Sequence, residues 1–190
     1  EFRMGKVIAD LVIINGSSKV FEIKTMLDKD YRLSNQVNEY KKLFNEIYII
    51  VPKVLLKNYR KYDSTIGIIT YDSATANFEL ELQAKINHII DTNVLMEVLH
   101  SSEYIKIVNK YFLDIPEMNS FNQFEICKRL ISKIPYEDLN KLFLDTMRER
   151  KINNIFFNEQ NKEFNQICLS LNLNKSEKYN LIKTLKSNKV

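Results

Sequence analysis

The sequence predicts an α/β layered core followed by an all-helical region. Three observations carry this. Residues 1–82 hold short apolar stretches with two-residue alternation, interrupted by stretches of helical period. From residue 83 onward only helical periods recur. The 190 residues are 45% hydrophobic with three Gly and three Pro, which suits a packed core rather than a loop-rich chain.

Residues 7–14 divide into two apolar sets, Val7/Ala9/Leu11/Ile13 and Ile8/Val12/Ile14, with Asp10 the exception. That pattern predicts a strand buried on both faces. Asn15-Gly16 signals a hairpin turn, and residues 19–24 form the returning strand, with Phe21 and Ile23 on one face and Glu22 and Lys24 on the other. Leu33, Val37, Tyr40 and Phe44 recur at helical spacing, predicting a helix over 32–44 with Asp28 or Asp30 as its cap. A strand follows at 46–51. Pro52 then opens a helix over 53–62, whose Lys53, Lys57, Arg60 and Lys61 read as a solvated face. Residues 66–71 and 77–82 give two more strands.

The second region, 83–190, predicts helices at 92–100, 102–113, 121–134, 136–150, 159–171 and 176–187. Ser120 with Gln123 reads as a capping box for the third. The last two could form a helix-turn-helix around Leu173-Asn174-Lys175-Ser176, but Lys178, Lys183, Lys186 and Lys189 read better as the solvated face of a terminal helix.

Composition narrows the functional classes. The net charge of +4 is mild, and neither half of the chain is a strongly basic nucleic-acid magnet. Cys127 and Cys168 form no metal-spaced pair, and His88 and His100 are isolated, so a zinc centre and a disulfide framework are both disfavoured. No apolar run reaches the roughly 20 residues of a membrane helix, and no secretory signal is visible. A reducing cytoplasm is the simplest expectation. The chain opens on Glu1 rather than Met, which leaves room for an N-terminal portion upstream.

The chemistry concentrates between Asp10 and Tyr40. Two carboxylates about 4 Å apart repel by roughly 4 kcal/mol at an effective dielectric near 20. A divalent cation between Asp10 and Glu22 removes that penalty, and Lys24, on the same strand face as Glu22, can orient a water or stabilise developing charge. The facing of Asp10 depends on register. A three-residue loop, Asn15-Gly16-Ser17, pairs Ile14 with Ser18 and Asp10 with Glu22, whereas an even loop puts Asp10 on the wrong side. The sequence therefore predicts an odd loop or a bulge near Asp10.

Asp10 followed by Glu22-Ile23-Lys24, and then by Gln36-Val37-Asn38-Glu39-Tyr40, resembles the PD-(D/E)XK nuclease superfamily. The Asp28 to Leu33 stretch, with Arg32-Leu33, is similar to a mostly uncharacterised bacterial subgroup that carries a Gln-x-x-x-Tyr helix motif and a C-terminal helical region. Ala9 stands where the motif has proline. The resemblance implies a mixed-sheet, restriction-endonuclease-like core with flanking helices. It also implies Mg²⁺-dependent hydrolysis of nucleic-acid phosphodiesters, with Mn²⁺ as a substitute and DNA slightly favoured over RNA. Asp10 and Glu22 would hold the metal, with Glu1 as the remnant of a further acidic ligand, and Lys24, Gln36 and Tyr40 would complete the catalytic set. A role in defence or as a toxin goes with this reading. Without the resemblance, Tyr40 reads as a core aromatic, Gln36 as exposed, and Arg32 as either a phosphate contact or the salt-bridge partner of Asp28. The alternative is a non-catalytic nucleic-acid-binding or protein-interaction module on the same fold, with the helical region contacting a partner or inhibitor.

Overall fold

The computed structural model describes residues 2–150 apart from Lys29, Ser73 and Ala76. Strands β1 (Phe2–Met4) and β2 (Val7–Ala9) form an antiparallel hairpin about Gly5, whose φ of 54° lies in the left-handed region that glycine adopts freely. The chain bends at Asp10 and enters a five-stranded sheet of β3 (Leu11–Asn15), β4 (Ser17–Ile23), β5 (Glu46–Pro52), β6 (Gly67–Asp72) and β7 (Asn77–Leu82), in that spatial order. The outer pairs β3/β4 and β6/β7 are antiparallel, while β4/β5 and β5/β6 are parallel. Parallel neighbours need crossovers, and helices α1 (Leu33–Tyr40) and α2 (Leu56–Tyr59) lie within them. Helices α3 (Thr92–Val98), α4 (Ser101–Tyr111), α5 (Gln123–Ile131) and α6 (Tyr136–Glu149) complete a mixed α/β arrangement.

One buried core joins the sheet to the later helices. Val20, Ile49 and Ile68 share it with Leu95 of α3, Ile107 of α4, Ile131 of α5 and Phe143 of α6. Residues Glu1–Glu149 form one compact unit, so the core runs unbroken across position 83. Asn45, buried just ahead of β5, is its polar anchor. Its Oδ1 accepts from the Ser18 N–H at 2.9 Å and the Ser18 hydroxyl at 3.0 Å, and its Nδ2 donates to the Tyr136 hydroxyl at 2.8 Å and to Asn140 Oδ1 at 3.2 Å. The helices expected at 159–171 and 176–187, with their helix-turn-helix, lie outside the described residues.

Several local expectations are corrected. The stretch 7–14 is two strands, because Asp10 interrupts the ladder, and it is not buried on both faces. Leu11 and Ile13 are 44% and 43% exposed, since β3 is an edge strand and only the Val12/Ile14 side packs on the core. Neither Asp28 nor Asp30 serves as N-cap of α1. A short 3₁₀ turn, Asp30–Arg32, leads into it, and Asp28 turns back to accept from the Thr25 N–H and hydroxyl at 2.6 and 2.7 Å. The Ser120/Gln123 box does not form either, because Asn119 takes that place, its Oδ1 accepting from the N–H groups of Phe121 and Asn122 ahead of α5. Among the described residues no helix is long and apolar enough to cross a membrane.

Candidate binding site at the β4–α1 junction

The site is built on alternation. Glu22 on β4 and Lys24 just beyond it point to the same side of the sheet, and the Lys24 N–H extends the parallel ladder to the Ile50 carbonyl at 2.8 Å. Helix α1 crosses that face with Gln36 and Tyr40 one turn apart, so both side chains descend onto Glu22. The carboxylate, only 4% exposed, is fully engaged. Its Oε1 accepts from Lys24 Nζ at 3.0 Å and Gln36 Nε2 at 2.6 Å, and its Oε2 accepts from the Tyr40 hydroxyl at 2.7 Å. Lys24 is 7% exposed and also donates to Gln36 Oε1 at 3.3 Å. Burial, then the hydrogen bond and charge of Glu22, push the Tyr40 phenol far above its ordinary range, so it stays a donor to Glu22.

The register of β3 against β4 is the one that an odd loop requires. Ile14 pairs with Ser18, Leu11 with Phe21, and Gly16, at φ 73°, turns the chain. Asp10 is the next residue along β3 and hooks onto the facing strand, its Oδ2 accepting from the Ile23 N–H at 2.8 Å. Burial lifts its carboxyl above the usual range. That N–H draws it down, and the charge of Glu22 lifts it further. The structure therefore brings Glu22, Lys24, Gln36 and Tyr40 into direct contact, with Asp10 beside them, while Glu1 lies outside the described residues.

Lys24 neutralises Glu22, and Asp10 stands beside the pair as a second carboxylate. Oε1 of Glu22 accepts two hydrogen bonds, its full complement, and the ammonium of Lys24 is its counter-ion. Among the described residues no three Asp, Glu, His or Cys side chains converge to hold a metal.

Above this floor opens a cleft of about 310 Å³ lined by Glu22, Lys24, Leu27, Asp28, Tyr31, Arg32 and Gln36. Asp28 is held below the usual carboxylate range by the Thr25 hydroxyl and N–H. Arg32 stacks on its neighbour, its guanidinium 5.1 Å from the centre of the exposed Tyr31 ring and its Nε donating to the Tyr31 hydroxyl at 2.8 Å. Sequence reasoning missed Tyr31 and Leu27. The signal available was an aromatic beside an arginine in the polar run between β4 and α1.

The family model described as Bacteriophage P4 protein cII matches residues 1–172. Protein cII of Enterobacteria phage P4 is 24% identical over 145 residues, covering 75% of this chain and 54% of that protein, so the chain spans about half the length of the curated relative it matches. No solved structure matches. These matches overturn the nuclease expectation. The family that accounts for most of the chain is the cII family and not the PD-(D/E)XK superfamily, so the Mg²⁺-dependent phosphodiesterase activity, and the hydrolase, defence and toxin roles attached to it, are withdrawn.

Proposed function

Because the chain belongs to the bacteriophage P4 protein cII family, we propose that the β4–α1 junction is a non-catalytic nucleic-acid-binding site. The observation that carries this reading is the Tyr31–Arg32 pair at the cleft mouth. An exposed aromatic face stacks on a base whatever its identity, at about 1–3 kcal/mol per base. A guanidinium held against that ring meets the adjoining phosphate with paired donors. The floor below is suited to support rather than chemistry: Lys24 cancels Glu22, and Gln36 and Tyr40 fix both. In this reading the core keeps the PD-(D/E)XK layout as a scaffold, and the protein acts in the cytoplasm.

Fluorescence anisotropy with labelled single-stranded oligonucleotides tests the proposal. Binding is expected at low salt and unchanged when EDTA replaces Mg²⁺. Tyr31→Ala should weaken it about tenfold, the loss of one stacked base. Arg32→Ala should lower the slope of log affinity against log salt by about one, as expected for a lost phosphate contact. Absence of binding at low salt, or full affinity in both variants, would overturn the assignment.

A further inference from the structure

The sheet has two faces of different character. Register assigns Val12, Val20, Glu22, Ile49, Val51 and Ile68 to the face packed on the helices. The opposite face carries Leu11 and Ile13 of β3, Phe21 and Ile23 of β4, Ile50 of β5, Ile69 and Tyr71 of β6, and Phe78 and Leu80 of β7. Among the described residues this second face is left open: Ile23 is 46%, Phe78 65% and Leu80 56% exposed. We propose that this face is a homodimer interface, in which the five-stranded sheets of two copies of the chain pack face to face. The inference is independent of the nucleic-acid reading, which uses the other side of β4.

Two arguments favour a second copy as the occupant. The first is electrostatic. The charges on this face, Lys19 and Glu46, are already joined at 3.0 Å, and Glu46 is further satisfied by Ser17 and by the Tyr48 hydroxyl. A self-paired face needs no opposite charge from its partner, so two identical faces meet without repulsion. The second is area. Strands of five to seven residues, at about 3.3 Å per residue and 4.8 Å apart, make a face of roughly 24 by 20 Å. Two such faces bury on the order of 1,000 Å² even when treated as flat, the size at which specific interfaces begin. Twisted sheets pack at about 10 Å with their apolar side chains interleaved, and isolated apolar surface this broad is uncommon on a monomer.

Light scattering during size-exclusion chromatography of the full chain tests the proposal. The wild type should elute as a dimer at micromolar concentration. Phe78→Glu/Leu80→Glu should be a monomer, and so should the milder Leu11→Gln/Ile13→Gln at the other edge of the same face, both with wild-type circular dichroism. A monomeric wild type overturns the proposal outright. A dimer that survives both variants with unchanged association overturns the choice of face.

Discussion

Lys24→Met is expected to lower the unfolding free energy by roughly 3 to 5 kcal/mol, the usual consequence of removing one partner of a buried ion pair. The methionine fills much of the lysine volume, so packing changes little. What changes is that Glu22, enclosed by α1 and β4, loses its compensating cation. The companion variant Glu22→Gln/Lys24→Met separates charge from shape. It removes both charges while the glutamine carbonyl still accepts from the Tyr40 hydroxyl, and it should recover more than half of the loss. Urea unfolding followed by circular dichroism measures both, with unchanged slopes confirming that compactness is preserved. A loss below about 1 kcal/mol in the single variant, on the scale of an exposed pair, would show that Glu22 is solvated.

Gly67→Ala should cost about 3 kcal/mol, at the upper end of ordinary overpacking. A Cβ there would lie 2.2 Å from two ring carbons of Tyr48 and 2.8 Å from the backbone nitrogen of Ala84. The ring cannot retreat cheaply. It is stacked on Phe21 at a centroid distance of 5.3 Å, donates from its hydroxyl to Glu46 at 2.9 Å, and accepts from Gln83 at 2.5 Å. The strain therefore falls on three neighbours at once. Thermal and urea unfolding of the variant should shift together, and a midpoint equal to that of the wild type would show that the sheet can open at this point.

Short apolar runs at 46–51 and 66–71 and alternation along 77–82 were enough to place β5, β6 and β7 within a residue, and helical spacing placed α1 and α3 to α6. The odd register about Gly16 was also legible, because facing carboxylates and a glycine turn left few alternatives. Glu22 and Lys24 were legible as a pair from the strand period, and Gln36 and Tyr40 as a pair from the helix period, but that the two pairs meet was suggested only by the resemblance. Burial was not legible. The alternation of Leu11 and Ile13 marks a face but carries no information on whether anything covers it. Caps failed for a related reason: Asp28, Ser120 and Asn119 each had several backbone donors within reach, and the one chosen depends on the path of the chain. Function was the least legible. A carboxylate, an ammonium, an amide and a phenol form the same contacts whether they hold a metal or lock one another, and it was the family match that overturned the nuclease assignment.

The segment between β7 and α3 has the look of a linker, yet its bonds give it another character. The Lys85 N–H bonds to Thr65, that of Asn87 to Asn45, and that of Asp91 to Lys42, while the Asn87 side chain reaches the carbonyls of Lys41 and Phe44. A chain strapped at every second or fourth residue cannot serve as a hinge. Local opening at α3 is therefore coupled to fraying at the end of α1, and the sheet and the helices after it form a single foldon rather than two modules that breathe separately. For evolution this means that an insertion at the apparent boundary would cut a stretch bonded both to the sheet and to the end of α1.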